Sequence, residues 1–384
     1  MDFALTPEQE RFQATARSFA ERRLAPEYLR RDNEDALDRD MVREMGELGL
    51  IAPVLPESMG GLGLDAVTMG LLVEEVSRGD FNVGYVQLLA ALNGQILLRH
   101  AKPQVAAQWG QRLCRGETLM ALALTEPQTG SDAAHIALKA RPENDHYVFN
   151  GEKTSISFAH QADSAIVFAR TGAPGDGAHG VSAFLVPLDL PGIHRTRFDD
   201  VGSHIVGRGS IFFEDVKVPV EQRLGDEGRG FTQVMQGFDF SRALIGLQCA
   251  GAAAISLQET WSYVAERKAF GQPVVRFEGV SFPLAEAETQ LEALRLLCYK
   301  TLWLKDAGKP HTAEAAMCKW WGPKTAFDII HSCLLMHGHG GYGRETPFQQ
   351  RLRDVMGLEI GDGTAQIMKL IIARERVGRV AVPY

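Results

Sequence analysis

The spacing of apolar residues changes twice along this chain, and that change restricts the fold more than any single motif. Thr6-Pro7-Glu8-Gln9 has the form of a capping box with proline at the first helical position. Phe12, Ala16, Phe19 and Ala20 then recur at helical spacing. Pro53, Pro56 and the glycines of Pro56-Glu57-Ser58-Met59-Gly60-Gly61-Leu62-Gly63 interrupt it. A further helix is expected from about Asp65 to Arg78, with more helix up to about Arg115. Beyond that the pattern shortens. Tyr147-Val148-Phe149 followed by Asn150-Gly151 predicts a hairpin turn, because Asn-Gly readily takes positive φ angles. Ala165 to Ala169, Ser182 to Val186 and Ile211 to Val218 read as strands, the last stopped by Pro219, and Thr171 to Gly180 as a glycine-rich loop. From Phe231 helical spacing returns, with Leu284, Ala287, Leu291 and Leu294 as one apolar stripe. Helices, then strands, then helices predict an α+β fold: helical over 1–120, a β-domain over 121–226 and helical again over 227–384. The two helical parts are free to pack together as one bundle.

Composition narrows the function classes. The 384 residues suffice for two or three domains. No uninterrupted apolar run reaches the ~18–20 residues of a membrane span. The start, Met1 to Thr6, has neither a basic nor an apolar leader region, so a cytoplasmic protein is expected. A net charge of −8 argues against broad nucleic-acid binding. Five cysteines at positions 114, 249, 298, 318 and 333, without CxxC spacing, read as buried reduced thiols.

Three segments carry candidate chemistry. Gly338-His339-Gly340-Gly341-Tyr342-Gly343 formally matches GxGxxG. A dinucleotide fingerprint follows a strand and opens a helix, whereas Ile329 to Met336 reads as the end of a helix, so the segment is read as a turn between helices. His337 and His339 have no further ligand at a recognisable spacing, and no metal site is expected. Thr125-Glu126-Pro127-Gln128-Thr129-Gly130-Ser131-Asp132 is a polar turn that either links strands or holds a polar ring edge or an anion. In Ile360-Gly361-Asp362-Gly363-Thr364-Ala365-Gln366-Ile367, Thr364 is a candidate N-cap, and Asp362 stands between two glycines that allow close approach.

In this order and at these separations, the segments resemble the acyl-CoA dehydrogenase family over nearly the whole chain. The resemblance is carried by Pro56-Glu57 with Gly60-Gly61, Leu124-Thr125-Glu126-Pro127 with Gly130-Ser131-Asp132, Phe213-Glu214-Asp215-Val216 with Val218-Pro219, and Gly228-Arg229-Gly230-Phe231. Glu266-Arg267-Lys268-Ala269-Phe270-Gly271, the 338–343 turn and Gly363-Thr364-Ala365-Gln366-Ile367 complete it. It implies an N-terminal helical domain, a central β-barrel and a C-terminal four-helix bundle, with FAD in a cleft and a homotetramer as the assembly. It implies FAD contacts at Leu124, Thr125, Gly130, Ser131, Ser157, Thr364 and Gln366. Arg267 and Phe270 would hold the FAD of an adjoining subunit, and Gly338 would lie in a turn that approaches the cofactor's adenosine half. Ser131, Asp239, Ser241, Arg242, Gly361 and Gly363 would meet the acyl-CoA. Asp362 would be the base that removes the proton α to the thioester carbonyl while a hydride leaves the β-carbon for the flavin. Electron-transferring flavoprotein is the implied acceptor.

Departures from the family pattern point to the substrate. The base is usually glutamate; aspartate shortens its reach by about 1.5 Å. The alternative family position for a base aligns with Ser241, which has no carboxylate, and Glu359 is misaligned by three residues. Gly361 replaces a bulky aromatic, and Ser155 replaces a tryptophan. Ala269 and Glu278 replace a hydroxyl residue and a glutamine near FAD. A short base in a widened pocket is expected to suit a compact, bulky acyl group such as cyclohexane- or cyclohexene-carbonyl. A linear short or medium acyl group, an acyl-CoA oxidase and a non-catalytic flavoprotein scaffold are the competing readings.

Overall fold

The computed structural model describes residues 3–382; Met1, Asp2, Pro383 and Tyr384, at the ends of the expected terminal domains, lie outside the described residues. Six α-helices come first: α1 (Pro7–Phe19), α2 (Tyr28–Arg31), α3 (Arg39–Glu47), α4 (Ala66–Gly79), α5 (Gly84–His100) and α6 (Pro103–Cys114). The Thr6 capping box forms as read: Thr6 Oγ1 accepts from Gln9 N at 3.2 Å, and Gln9 Oε1 accepts from Thr6 N at 3.0 Å. Asp65 caps α4 by accepting from Thr68 N at 2.6 Å.

Eight strands follow: β1 (Met120–Ala123), β2 (Lys139–Glu143), β3 (His146–Ile156), β4 (Ser164–Arg170), β5 (Val181–Pro187), β6 (Ile193–Arg195), β7 (Gly209–Pro219) and β8 (Arg223–Leu224). They form one sheet in the order β6-β7-β3-β2-β4-β5-β8, with β1 parallel to β4. The expected turn at Asn150-Gly151 is not there. β3 runs straight through it, and the register against β7 shifts between Phe149 and Gly151 as a bulge. Gly151, with φ 141°, provides that bulge, while the real β2–β3 turn is Asn144-Asp145, where Asn144 takes φ 51°. Asn-Gly supplies the unusual backbone in both readings; the longer pairing of β3 with β7 decides that it bends a strand rather than ending one.

The C-terminal part holds α7 (Gly230–Glu266), a small hairpin β9 (Lys268–Ala269) and β10 (Gln272–Pro273), then α8 (Glu278–Asp306), α9 (Thr312–Met336), α10 (His339–Tyr342), α11 (Phe348–Ile360) and α12 (Ala365–Val377). The GxGxxG segment, read as a turn, instead winds its centre into the short helix α10 between α9 and α11, with no strand before it. Among the described residues one helix, α7, is long and apolar enough to cross a membrane, yet it is almost wholly buried inside the protein, as befits a core helix. All five cysteines are buried and free. The stripe Leu284, Ala287, Leu291 and Leu294 is buried on α8.

The two helical parts do pack together. A Cβ on Gly70 of α4 would lie 2.5 Å from Leu302 Cδ1 and 2.7 Å from Leu247 Cδ1, and one on Gly251 of α7 would lie 2.5 Å from Glu74 O. Glycine is what lets these helices approach so closely. One buried carboxylate joins all three parts of the chain. Asp354 on α11 accepts from Tyr28 Oη at 2.7 Å and Asn82 Nδ2 at 2.9 Å, both in the first part, and from Ser203 N at 2.6 Å in the β-domain. Burial pushes its carboxyl up to about 6. Replacing it by alanine leaves three buried donors unmet. Asp354→Ala is therefore expected to destabilise the fold by about 3 kcal/mol, read as a lowered urea midpoint, since each orphaned group costs roughly 1–3 kcal/mol.

Candidate active site

Asp362 lies in the turn between α11 and α12, and its backbone takes φ 56°, in the left-handed region. A non-glycine residue held there is uncommon and marks a turn whose surroundings over-determine it. Gly363 follows with φ 101°. Thr364 then caps α12, its Oγ1 accepting from Ile367 N at 3.5 Å. The Asp362 N–H donates to no group among the described residues. Carboxylate and free amide thus project from one residue.

The surroundings of Asp362 are cationic. Arg242 on α7 and Lys319 on α9 face it. Burial raises the Asp362 carboxyl above the ordinary carboxylate value, while the charges of Lys319 and Arg242 draw it back down. Arg242 is buried and bonds Asp239 Oδ1 through Nη1 at 3.3 Å, while its Nε has no partner among the described residues. Asp239 also accepts from Thr312 Oγ1 at 2.6 Å. Ser241 is fully buried and donates to Phe238 O at 3.4 Å, so its hydroxyl turns into its own helix.

The polar turn predicted at 125–132 folds back on itself, Glu126 and Thr129 exchanging backbone bonds of 3.0 and 3.1 Å. Glu126 points inward. It accepts from Ala137 N at 2.6 Å, Leu138 N at 2.9 Å and the Lys153 ammonium at 2.7 Å. Lys153 also donates to Leu124 O at 2.8 Å, and Thr154 N to Thr125 O at 2.9 Å. This buried pair fixes the backbone of Leu124, Thr125 and Glu126 from below. Burial lowers the Lys153 ammonium to about 8 even beside Glu126. At the tip, Gly130 and Ser131 are exposed, and their N–H groups bond no described residue. Thr129 Oγ1 is buried without a partner.

The strand behind this turn leads towards α11. Thr154 and Ser155, the latter with φ 57°, belong to β3, and Ser157 follows its end. Phe158 N donates to Val206 O at 3.0 Å. The neighbouring Arg208 lies against Gly357 of α11, where a Cβ would meet its Nη1 at 3.4 Å. Other predicted residues stand apart. Arg267 and Phe270 sit at the far end of α7 and on its hairpin, with Phe270 94% exposed. Gly338, with φ 60°, and Gln366 are exposed, and a Cβ on Gly338 would meet nothing within 4 Å. Sequence reading missed the buried lysines Lys153 and Lys319. Lys319 interrupts a buried apolar face of α9 made by Ala315, Ala316, Cys318 and Gly322, whereas Lys153 stands among polar residues of β3 and gave no such signal.

Three family models match in succession: acyl-CoA dehydrogenase N-terminal domain over 6–117, middle domain over 121–216 and C-terminal domain over 228–376. A protein named probable acyl-CoA dehydrogenase, from Bacillus subtilis, is 36% identical over 98% of this chain and 99% of its own. Benzylmalonyl-CoA dehydrogenase of Aromatoleum aromaticum is 35% identical over 98% and 99%. The solved butyryl-CoA dehydrogenase of Megasphaera elsdenii superposes with a TM-score of 0.95 at 32% identity, covering 98% of this chain and all of that one. This chain belongs to the acyl-CoA dehydrogenase family, oxidoreductases that act on a CH–CH bond with FAD. The unengaged amides of Gly130 and Ser131 and the unpaired Thr129 hydroxyl are free donors of the kind that would fit a flavin ring edge or a pyrophosphate. If Lys153 braces this wall, Lys153→Met, which strands the Glu126 charge, should cost about 3–5 kcal/mol in urea unfolding and lower FAD retention on gel filtration.

Proposed function

We propose that this protein dehydrogenates a compact acyl-CoA thioester, with Asp362 as the base that takes the α-proton. The observation that carries this reading is the Asp362 turn, which offers a carboxylate and an unengaged N–H from one residue. The α-proton of a thioester is only weakly acidic, so charge developing on the carbonyl oxygen needs a donor already in place, and the Asp362 amide can be one. Bound FAD supplies the acceptor for the hydride leaving the β-carbon. Leu124, Thr125, Gly130, Ser131, Ser157, Thr364 and Gln366 would hold that FAD. Arg242, Asp239 and Gly363 would line the thioester's path, and Ser241 would shape it from within the helix. Arg267, Phe270 and Gly338, exposed in one chain, would meet FAD in a second copy of a homotetramer. Electron-transferring flavoprotein would take the electrons.

The acyl group follows from the space beside the base. A Cβ on Gly361 would meet nothing closer than Gly357 O at 3.5 Å, an ordinary contact, and its φ is −60°. The backbone therefore does not impose glycine there; the missing side chain leaves room. Ser155 leaves more, and the short Asp362 asks the α-carbon to come close. A ring such as that of cyclohexane-1-carbonyl-CoA or cyclohex-1-ene-1-carbonyl-CoA meets both conditions. A short linear acyl group is the second reading, favoured by the likeness to butyryl-CoA dehydrogenase.

Anaerobic flavin bleaching by a panel of cyclic, branched and linear thioesters separates the two. The cyclic reading predicts faster reduction by the cyclohexane and cyclohexene thioesters than by butyryl- or octanoyl-CoA, and the reverse order overturns it. Asp362→Asn should retain FAD and lose flavin reduction with every thioester; near-normal turnover would remove Asp362 from its role. In the wild type, kcat/KM should fall as pH drops through an apparent pKa above the usual carboxylate range, because the base must be ionised to accept a proton.

A further inference from the structure

Lys319 has no exposed surface. Its ammonium makes two hydrogen bonds, both to backbone carbonyls: Gly363 O, and Glu359 O at 3.5 Å. Among the described residues no carboxylate pairs with it directly. A buried ammonium without a salt-bridge partner is costly, and a methionine would fill the same space without that cost. The position of the two carbonyls explains what the lysine does. Glu359 lies in the last turn of α11, whose final carbonyls have no partner within the helix and carry its negative dipole end. Gly363 is the residue directly after Asp362. One ammonium therefore grips the chain on both sides of Asp362.

We propose that Lys319 is the positioning residue of the base, its two hydrogen bonds holding the turn in which Asp362 keeps its left-handed backbone. The proposal rests on Asp362 being the base. Lys319 touches neither reacting atom; it acts through Asp362. Its charge has a second effect, since a cation beside the carboxylate favours the ionised form. Asp362 is faced by Lys319 from α9, Arg242 from α7 and Tyr85 from α5. Lys319 is faced by Asp362, by Cys249 and Arg242 of α7, and by Glu359 of α11. Burial lowers the Lys319 ammonium to about 8, with Asp362 as the largest opposing influence. Burial pushes the Cys249 thiol up, so it stays neutral across the working range. Removing the lysine charge therefore leaves Arg242 as the cation facing the carboxylate among the described residues. The carboxyl then rises, and the acid limb of kcat/KM moves to higher pH.

The test compares FAD-loaded wild type, Lys319→Met, Lys319→Gln and Asp362→Asn. The probe is whichever of cyclohexane-1-carbonyl-CoA and butyryl-CoA reduces the wild-type flavin faster. Lys319→Met should bind FAD and hold KM, lower the rate of flavin reduction about 100-fold through a displaced base, and move the acid limb upward. Lys319→Gln keeps a donor without the charge, so it should recover much of the rate while its acid limb stays displaced. An acid limb at the wild-type position in both variants, with rates falling only as far as FAD content falls, overturns the proposal and leaves Lys319 a structural residue. Should Lys319→Met not accumulate as holoenzyme, the acid limb of Lys319→Gln decides alone. If Asp362→Asn reduces flavin at near wild-type rates, the base assignment fails and Lys319 loses its role with it. If Asp362→Asn is inactive and the lysine variants behave as wild type, only the positioning role fails.

Discussion

The candidate site depends on how α11 is held, because its C-terminal end sets where Asp362, the proposed base, stands. Asp354, buried on this helix, receives donors from Tyr28, Asn82 and Ser203, so the first helices, the β-domain and the last bundle are tied to one carboxylate. Arg353 on the same helix adds bonds to Asp32 at 2.6 and 3.2 Å and to Val201 O at 2.8 Å. Six residues past Asp354 the helix ends, and the chain turns through Asp362 into α12. A residue at φ 56° does not stay there through its own preference. The carbonyls on either side of it are bonded by Lys319, and Thr364 starts the next helix at once.

The two walls of the site follow one physical scheme. In each, a lysine with no exposed surface binds backbone carbonyls and stiffens a strip of chain that offers free N–H groups to a ligand. Lys153 does this under Leu124 with Glu126 as its partner, and Lys319 does it around Asp362 with carbonyls alone. Both ammonium groups are lowered to about 8 by burial. Such rigidity suits a reaction in which proton and hydride leave neighbouring carbons and small displacements are expensive.

Much of this was legible in the sequence. The change of apolar spacing marked the helices and strands, and the Thr6 and Thr364 caps formed where their side chains predicted. The Gly-Asp-Gly segment marked the turn that places Asp362 in the left-handed region. Asn150-Gly151 misled because a local turn preference says nothing about the long β3–β7 ladder that absorbs it as a bulge. The lysines were missed because a single charge has no local meaning; its partners lie 27 to 44 residues away and come together only in the fold. Ser241 was expected at the substrate, but the helix buries its hydroxyl against Phe238 O.

The most direct test of the account is a crystal structure of the FAD-bound protein with a non-reactive acyl-CoA analogue. The account predicts an Asp362 carboxylate oxygen about 3–3.5 Å from the analogue's α-carbon, with the Asp362 N–H donating to the thioester carbonyl. An α-carbon placed against Glu359 or any other carboxylate, with Asp362 turned away, would contradict it.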